Sequence, residues 1–189
     1  MRLPLAFAAT AVLLLTAPLI SAQDTGMNWQ TILQSRLPLY GHRNWIVITD
    51  SAYPVQSSPG IETITSNADY FQVLQTVFGA LQRSRHVTPI VYTDRELPAV
   101  AENDAPGITA FRDQLNTFLN GAQLRNPPTT NLKHDELISK LTEVSQSFRV
   151  LVIKTDAVLP YTSLFLQLDC AYWNPDAEHR LRMTLAAQR

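Results

Sequence analysis

Several residue types are scarce in this sequence, and each shortage excludes a class of protein. A single cysteine occurs among 189 residues, which excludes a disulfide framework within one chain and a zinc site built from cysteines. Charged residues make up 16% of the chain and the formal net charge is -1, so the basic face that nucleic-acid binding usually needs is missing. The six glycines and twelve prolines are scattered, which argues against a fibrous or low-complexity protein. We therefore expect one globular domain that does not bind nucleic acid.

The N-terminal segment has the pattern of a secretory signal. Arg2 precedes an almost entirely apolar stretch over residues 5–20, and the small residue Ala22 then occupies the position before a cleavage site. An uncleaved anchor is the alternative, but the apolar stretch is shorter than the ~20 residues that a spanning helix needs. We expect residues 1–22 to be a signal peptide, and residues 23–189 to be a secreted or periplasmic domain that leaves the membrane after cleavage.

Short apolar runs rich in β-branched residues alternate with segments of helical periodicity along the rest of the chain. The predicted strands are residues 45–49, 61–65, 88–92, 150–153 and 163–168, and the predicted helices follow Asn28 and cover residues 71–81, 108–119 and 132–144. Runs without polar alternation are typical of strands that are buried on both faces. The alternation predicts an α/β fold, a single three-layer α/β/α domain with a largely parallel sheet.

Polar residues beside the predicted strands are the candidate site residues, because open α/β sheets bind ligands at the carboxyl ends of their strands. His42 precedes the first strand and Asp50 follows it, while His134 opens a helix and Tyr161 lies just before the last strand. A strand of about five residues spans roughly 17 Å. His42 and Asp50 can therefore share a site only if the chain folds back or if another chain supplies one of them.

Each candidate also has a purely structural interpretation. His42 can be a surface or cap residue, Asp50 a turn cap, His134 a first-turn residue and Tyr161 a half-buried packing residue. The sequence has no glycine-rich phosphate loop, nucleophile elbow or paired-histidine metal helix. The possible metal ligands are His42, His134, Asp50 and Glu136, which could bind a metal only if the fold brought them together. We therefore expect no metal.

Three stretches, taken in order, resemble the ribose pyranase and fucose mutarotase family (RbsD/FucU-type proteins). They are Gly41-His42 with the apolar strand and turn over residues 46–54, the helix start His134-Asp135-Glu136, and Val152-Ile153-Lys154-Thr155 with Pro160-Tyr161. The family has a Gly-His, an apolar strand and an Asp-Ala-x-x-Pro turn with the same eight-residue spacing. It also has a His-Glu helix start and a Pro-Tyr-Ala-Asn segment that enters the last strand. The resemblance covers residues 37–173.

This resemblance implies an activity and a set of site residues. Family members interconvert the anomers, or the pyranose and furanose forms, of free monosaccharides without a metal or organic cofactor. They form ring-shaped homo-oligomers whose site lies between subunits. Carried over by position, His42, Asp50 and His134 are the catalytic candidates, and His42 is the main proton shuttle. Tyr161 and Ser163 are the candidates for substrate binding.

The chain departs from the family pattern at several positions. Ser163 stands where the family has asparagine, Ile138 where many ribose-type members have lysine, and Asp156-Ala157 where the family has Gly-Glu. Serine lacks the paired donor and acceptor of an amide. These changes leave the identity of the sugar open. They also motivate the alternative of a non-catalytic monosaccharide-binding or structural ring protein on the same fold.

Overall fold

The computed structural model describes residues 28–122 and 130–188. The predicted signal peptide, residues 1–22, lies outside the described residues, and so does the loop predicted at residues 126–128. In the two described ranges, no helix combines the length and the apolar character that crossing a membrane requires.

Within the described ranges, six strands form one sheet, and four of the five helices contribute buried residues to the packing around it. The strands are β1 (Trp45–Thr49), β2 (Ile61–Thr65), β3 (Val87–Asp94), β4 (Thr130–Leu132), β5 (Val150–Lys154) and β6 (Leu164–Cys170). The helices are α1 (Trp29–Arg36), α2 (Tyr70–Arg83), α3 (Ile108–Gly121), α4 (His134–Val144) and α5 (Pro175–Ala187). Single 3-10 turns cover Leu37–Leu39 and Leu97–Ala99.

The strand order is β2-β5-β1-β6-β3-β4. The pairs β2–β5, β5–β1 and β3–β4 are parallel, whereas β6 runs antiparallel to both β1 and β3. Residues 155–163, which connect β5 to β6, are fewer than the dozen or more that a parallel crossover needs. The chain therefore returns antiparallel. The predicted three-layer α/β/α arrangement with a largely parallel sheet is confirmed.

The two faces of the sheet are covered by different helices. In β1, Ile46 and Ile48 belong to the core shared with α1, α2 and α3, whereas Val47 packs in a second core with Leu137 and Leu141 of α4. Alternate side chains of a strand point to opposite faces, which explains why the whole β1 run is apolar. We expect Leu137→Ala to lower the free energy of unfolding by about 2–5 kcal/mol, because the Leu137 side chain is fully buried.

Local signals explain most helix starts. The Asn28 side chain accepts from the backbone N–H of Gln30, as the sequence predicts for an N-cap. Asp69 caps α2, and its carboxylate accepts from the backbone N–H groups of Phe71 and Gln72. The strand β4 was not expected, because three residues are too few for a periodic pattern. The final helix α5 has no buried residue.

Candidate active site

The register of the sheet gathers the ends of three strands at one edge. Leu164, the first residue of β6, lies opposite Ile48 near the end of β1 and opposite Thr93 near the end of β3. Asp50 and Asp94 follow those two positions, so both carboxylates lie at this edge beside the loop that enters β6. This is the edge formed by the carboxyl ends of the parallel strands, where an open α/β sheet binds its ligands.

His134 reaches the same edge through β4. Leu132, the last residue of β4, lies opposite Asp94 in the parallel ladder, and His134 begins α4 two residues later. The Nδ1 atom of His134 lies 3.0 Å from the Oδ1 atom of Asp94. The backbone N–H of His134 donates to the carboxylate of Glu96 at 3.1 Å. Both the ring and the backbone of His134 are therefore held by groups at the end of β3.

Asp94 is the most deeply buried acid of this cluster. Its exposed fraction is 0%, and its Oδ2 atom has no hydrogen-bond partner among the described residues. The pKa of Asp94 is raised from 3.8 to about 6, mainly because the carboxyl group is buried. The contact with His134 opposes this increase, and nearby Glu96 and Asp50 add to it. Asp94 is thus a carboxyl group whose protonation changes close to neutral pH.

Tyr161 forms the exposed side of the cluster. Its ring packs edge-on against His134, with ring centroids 5.6 Å apart and an interplanar angle of 86°, and it is 41% exposed. Its φ angle is 56°, a left-handed conformation that costs a non-glycine residue about 1–2 kcal/mol. The next residue, Thr162, is fully buried, and its carbonyl accepts from the Tyr70 hydroxyl at 2.8 Å. This anchored loop holds the Tyr161 ring in place despite the strained backbone.

Ser163 follows Tyr161 by two residues and is only 2% exposed, whereas Tyr161 is 41% exposed. A ligand in solvent therefore has much less access to Ser163 than to Tyr161. The buried position of Ser163 follows from its place directly before Leu164, where the chain enters the centre of the sheet.

Asp50 is half-buried and closes the turn after β1. Its Oδ1 atom accepts from the backbone N–H of Ala52 at 2.8 Å, which is the turn-capping role that the sequence left open for it. Beneath the turn, burial raises the pKa of the Tyr53 phenol, and the charges of Asp94 and then Asp50 raise it further. Both carboxylates therefore act on the same buried phenol.

His42 lies at the opposite end of β1. It is exposed, and the N–H of its neighbour Arg43 donates to the carbonyl of Leu168, two residues before the end of β6. The length of β1 thus separates His42 from Asp50 by roughly 17 Å. The fold brings Asp50, His134 and Tyr161 to one edge, and Ser163 lies nearly buried just before β6 beside this edge. The fold does not bring His42 there, so the alternative of a chain that folds back is wrong.

Asp94 and Glu96 were not among the predicted site residues. A usable signal was present, because Thr93-Asp94-Arg95-Glu96 follows an apolar run just as Asp50 follows β1. The pairing of Asp94 with His134, 40 positions away, depends on the short strand β4. Over residues 28–122 and 130–188, no three His, Cys, Asp or Glu side chains are grouped in a way that would hold a metal ion.

This architecture is similar to that of proteins with solved structures. No family model matches the chain, and no curated protein has a significant sequence match to it. Solved structures do match. Bacillus subtilis RbsD complexed with D-ribose is 20% identical, with a TM-score of 0.50 over 74% of this chain and 92% of that chain. The fucose mutarotase in complex with L-fucose from Streptococcus pneumoniae is 15% identical, with a TM-score of 0.50 over 73% and 91% of the two chains.

These matches establish the fold. The chain has an RbsD/FucU-type α/β fold, and the fold that the three sequence motifs implied is confirmed. At such identities the similarity concerns the fold alone, so the chemistry of this chain has to be argued from its own residues.

Proposed function

We propose that this protein interconverts the ring forms or anomers of a free monosaccharide by general acid–base catalysis. The observation that carries the proposal is the group of Asp94, His134 and Tyr161 at the carboxyl edge of the sheet. The RbsD/FucU-type fold supports it, because the two matching proteins were solved with D-ribose and L-fucose.

The reaction needs two proton transfers and no oxidant or reductant. A base removes the proton from the anomeric hydroxyl while an acid delivers a proton to the ring oxygen. The bond between the anomeric carbon and the ring oxygen then breaks, and a carbonyl forms. The carbonyl group can then rotate, which leads to the other anomer, or a different hydroxyl of the sugar can attack it, which leads to the other ring size. The two proton transfers in reverse close the ring. A positioned acid or base contributes typically 10²–10⁴-fold, and histidine is the commonest because its charge changes near neutral pH.

The residues of the carboxyl edge suit these steps. His134 exchanges a proton with the sugar, and Asp50 binds sugar hydroxyls with the carboxylate oxygen that the Ala52 N–H does not occupy. Tyr161 offers an exposed ring face for the apolar side of a sugar and a hydroxyl for hydrogen bonding. Aromatic side chains with one apolar and one polar end are well suited to such ligands.

The second acid–base group comes, in this proposal, from another copy of the chain. His42 is exposed at the other edge of the sheet, where it can reach the carboxyl edge of a neighbouring subunit but not that of its own. The site then lies between subunits of a homo-oligomer. Light scattering on the purified protein tests this directly, and a stable monomer would contradict the shared site.

We also propose that the domain acts outside the cytoplasm. The support is the basic, apolar and small-residue pattern of residues 1–22. N-terminal sequencing of the protein from its native host is expected to begin at residue 23. A protein that starts at Met1 would overturn the proposed cleavage.

Binding without turnover is the second candidate function. Ser163 favours it, because a nearly buried hydroxyl stands where the family has an amide. In that case the protein binds a monosaccharide saturably, the ring forms exchange no faster than in buffer, and loss of His42 leaves binding unchanged.

One experiment separates the two functions. NMR saturation transfer measures ring-form exchange of ribose, fucose, galactose and glucose with the purified protein, His42→Ala and His134→Gln. His179→Ala is the matched control, since His179 is exposed on α5. Catalysis predicts accelerated exchange that both site variants lose and the control retains. No acceleration with any of the four sugars would overturn the catalytic proposal.

A further inference from the structure

We propose that Asp94 is a positioning residue that holds a proton on Nδ1 of His134 and leaves Nε2 as the atom that exchanges protons with the sugar. The exchange of protons between Nε2 and the sugar rests on the function proposed above. The proton on Nδ1 is a property of the folded protein alone. Nothing in the sequence motifs pointed to Asp94, so the inference comes from the geometry of the edge.

The direction of the hydrogen bond follows from the chemistry of its two partners. An ionised carboxylate can only accept, so the Nδ1 atom at 3.0 Å from Oδ1 has to be the donor. Among the described residues, no group bonds the Nε2 atom of His134, whose side chain is 32% exposed. With the proton on Nδ1, a neutral His134 has a lone pair on Nε2 that can accept a proton from a ligand.

Asp94 itself cannot act on a ligand directly, because its side chain is fully buried. Its influence has to pass through His134. When Nε2 takes up a proton, the imidazolium that forms lies against the Asp94 carboxylate, and hydrogen bonds to ionised groups are about twice as strong as neutral ones. The carboxylate therefore favours the state in which His134 has just removed a proton from the sugar.

The unpartnered Oδ2 atom of Asp94 is a second, independent observation that favours a functional role for this residue. A buried polar atom without a partner destabilises the folded state. An amide or an aliphatic side chain would avoid burying a charge at this position. The chain instead buries an acid next to a partly exposed histidine, an arrangement that costs stability and orients an imidazole.

Other charged and titratable groups surround the pair. Glu96 holds the backbone N–H of His134, Asp50 lies close enough to raise the pKa of Asp94, and Tyr161 packs against the imidazole. The side chains of Asp135 and Glu136 lie in the first turn of the same helix. Of all these groups, Asp94 alone contacts a ring nitrogen of His134, so replacing Asp94 isolates its effect on the ring.

The test is the tautomer of His134, read by long-range ¹H–¹⁵N NMR on protein with ¹⁵N-labelled histidine. We expect a protonated Nδ1 and an unprotonated Nε2 at pH 8. His134→Gln assigns the signals. In Asp94→Asn, which keeps the size of the side chain, we expect Nε2-protonated imidazole to appear, because the amide nitrogen can donate to Nδ1 and a neutral imidazole by itself favours the proton on Nε2.

A histidine elsewhere in the chain provides the control for misfolding. His86 has Nδ1 at 2.9 Å from the Ser84 hydroxyl and Nε2 at 2.9 Å from the Tyr40 carbonyl. Its signals should be the same in the wild type and in Asp94→Asn. A wild-type His134 that carries its proton on Nε2, or an unchanged His134 tautomer in Asp94→Asn, would overturn the inference.

Kinetics complete the test and keep it separate from the proposed function. With an active protein, we expect Asp94→Asn to lower kcat by more than tenfold, up to the 10²–10⁴-fold that an acid–base group contributes, with little change in KM. An unchanged kcat would overturn the part of the inference that concerns the sugar. A wild type with the Nδ1 proton but no sugar exchange would overturn the proposed function and support the positioning of His134 by Asp94.

Discussion

The two ends of β1 differ in how firmly the chain fixes its candidate residues. At the carboxyl end, Asp50 caps a turn, and His134 is held through its ring by Asp94 and through its backbone by Glu96. At the amino end, His42 is exposed and has no hydrogen-bond partner in the described part of the chain. One edge is thus organised within a single chain, and the other presents one histidine outward. This difference is what a site shared between two copies requires.

The largest expected effect concerns catalysis at the two ends. His42→Ala and His134→Gln should each slow ring-form exchange by about 10²–10⁴-fold, because each removes one of two acid–base groups. Exchange rates from saturation transfer measure the effect. If His134→Gln slowed the exchange and His42→Ala did not, the proposed catalytic role of His42 would be wrong.

Alanine variants at the two ends should also differ in stability. His134→Ala removes the partner of the buried Asp94 carboxylate and should lower the free energy of unfolding by about 1–3 kcal/mol at pH 8. His42→Ala changes an exposed residue and should stay within about 0.5 kcal/mol of the wild type. Urea denaturation compares them. Equal decreases in the free energy of unfolding would contradict the difference between the carboxyl edge, where His134 is held by other residues, and the amino edge, where His42 is exposed.

The pH dependence of stability tests the buried acid. The pKa of Asp94 in the folded protein, about 6, is above its ordinary value of 3.8. The folded state therefore binds this proton more tightly, and its contribution to stability, present below about pH 4, is lost as pH rises through 6. Asp94→Asn lacks this titration. Its free energy of unfolding should rise by about 1–3 kcal/mol relative to wild type between pH 4 and pH 7. A difference that does not change with pH would contradict the burial of an acid here.

The smallest effect concerns Tyr161. Its hydroxyl bonds no described residue, so Tyr161→Phe should leave the free energy of unfolding unchanged. If the hydroxyl binds the sugar, KM should increase about two- to tenfold, which corresponds to one hydrogen bond of about 0.5–1.5 kcal/mol. Thermal denaturation and exchange kinetics at several sugar concentrations measure the two properties. A loss of stability with unchanged KM would assign Tyr161 to packing alone.

Much of the fold follows from local sequence. The apolar run of β1 predicts a strand buried on both faces, and Asn28 predicts the start of α1, because both depend on neighbouring residues. The site is less predictable. The sequence shows that Asp94 follows an apolar run, but the role of Asp94 depends on its burial and on a histidine 40 positions away, which no local pattern reveals. The separation of His42 from Asp50 is predicted, since it requires only the length of a strand.

Mixing two inactive variants tests the central claim most directly. His42→Ala and His134→Gln chains are purified, unfolded together in equal amounts, refolded and assayed for ring-form exchange. In a site that takes His42 from one chain and His134 from its neighbour, about a quarter of all the sites in the mixture regain both histidines. We therefore predict roughly one quarter of the wild-type activity, with wild-type protein carried through the same refolding as the reference. An active wild-type reference beside a mixture as inactive as each variant alone would show that the site is not shared between chains.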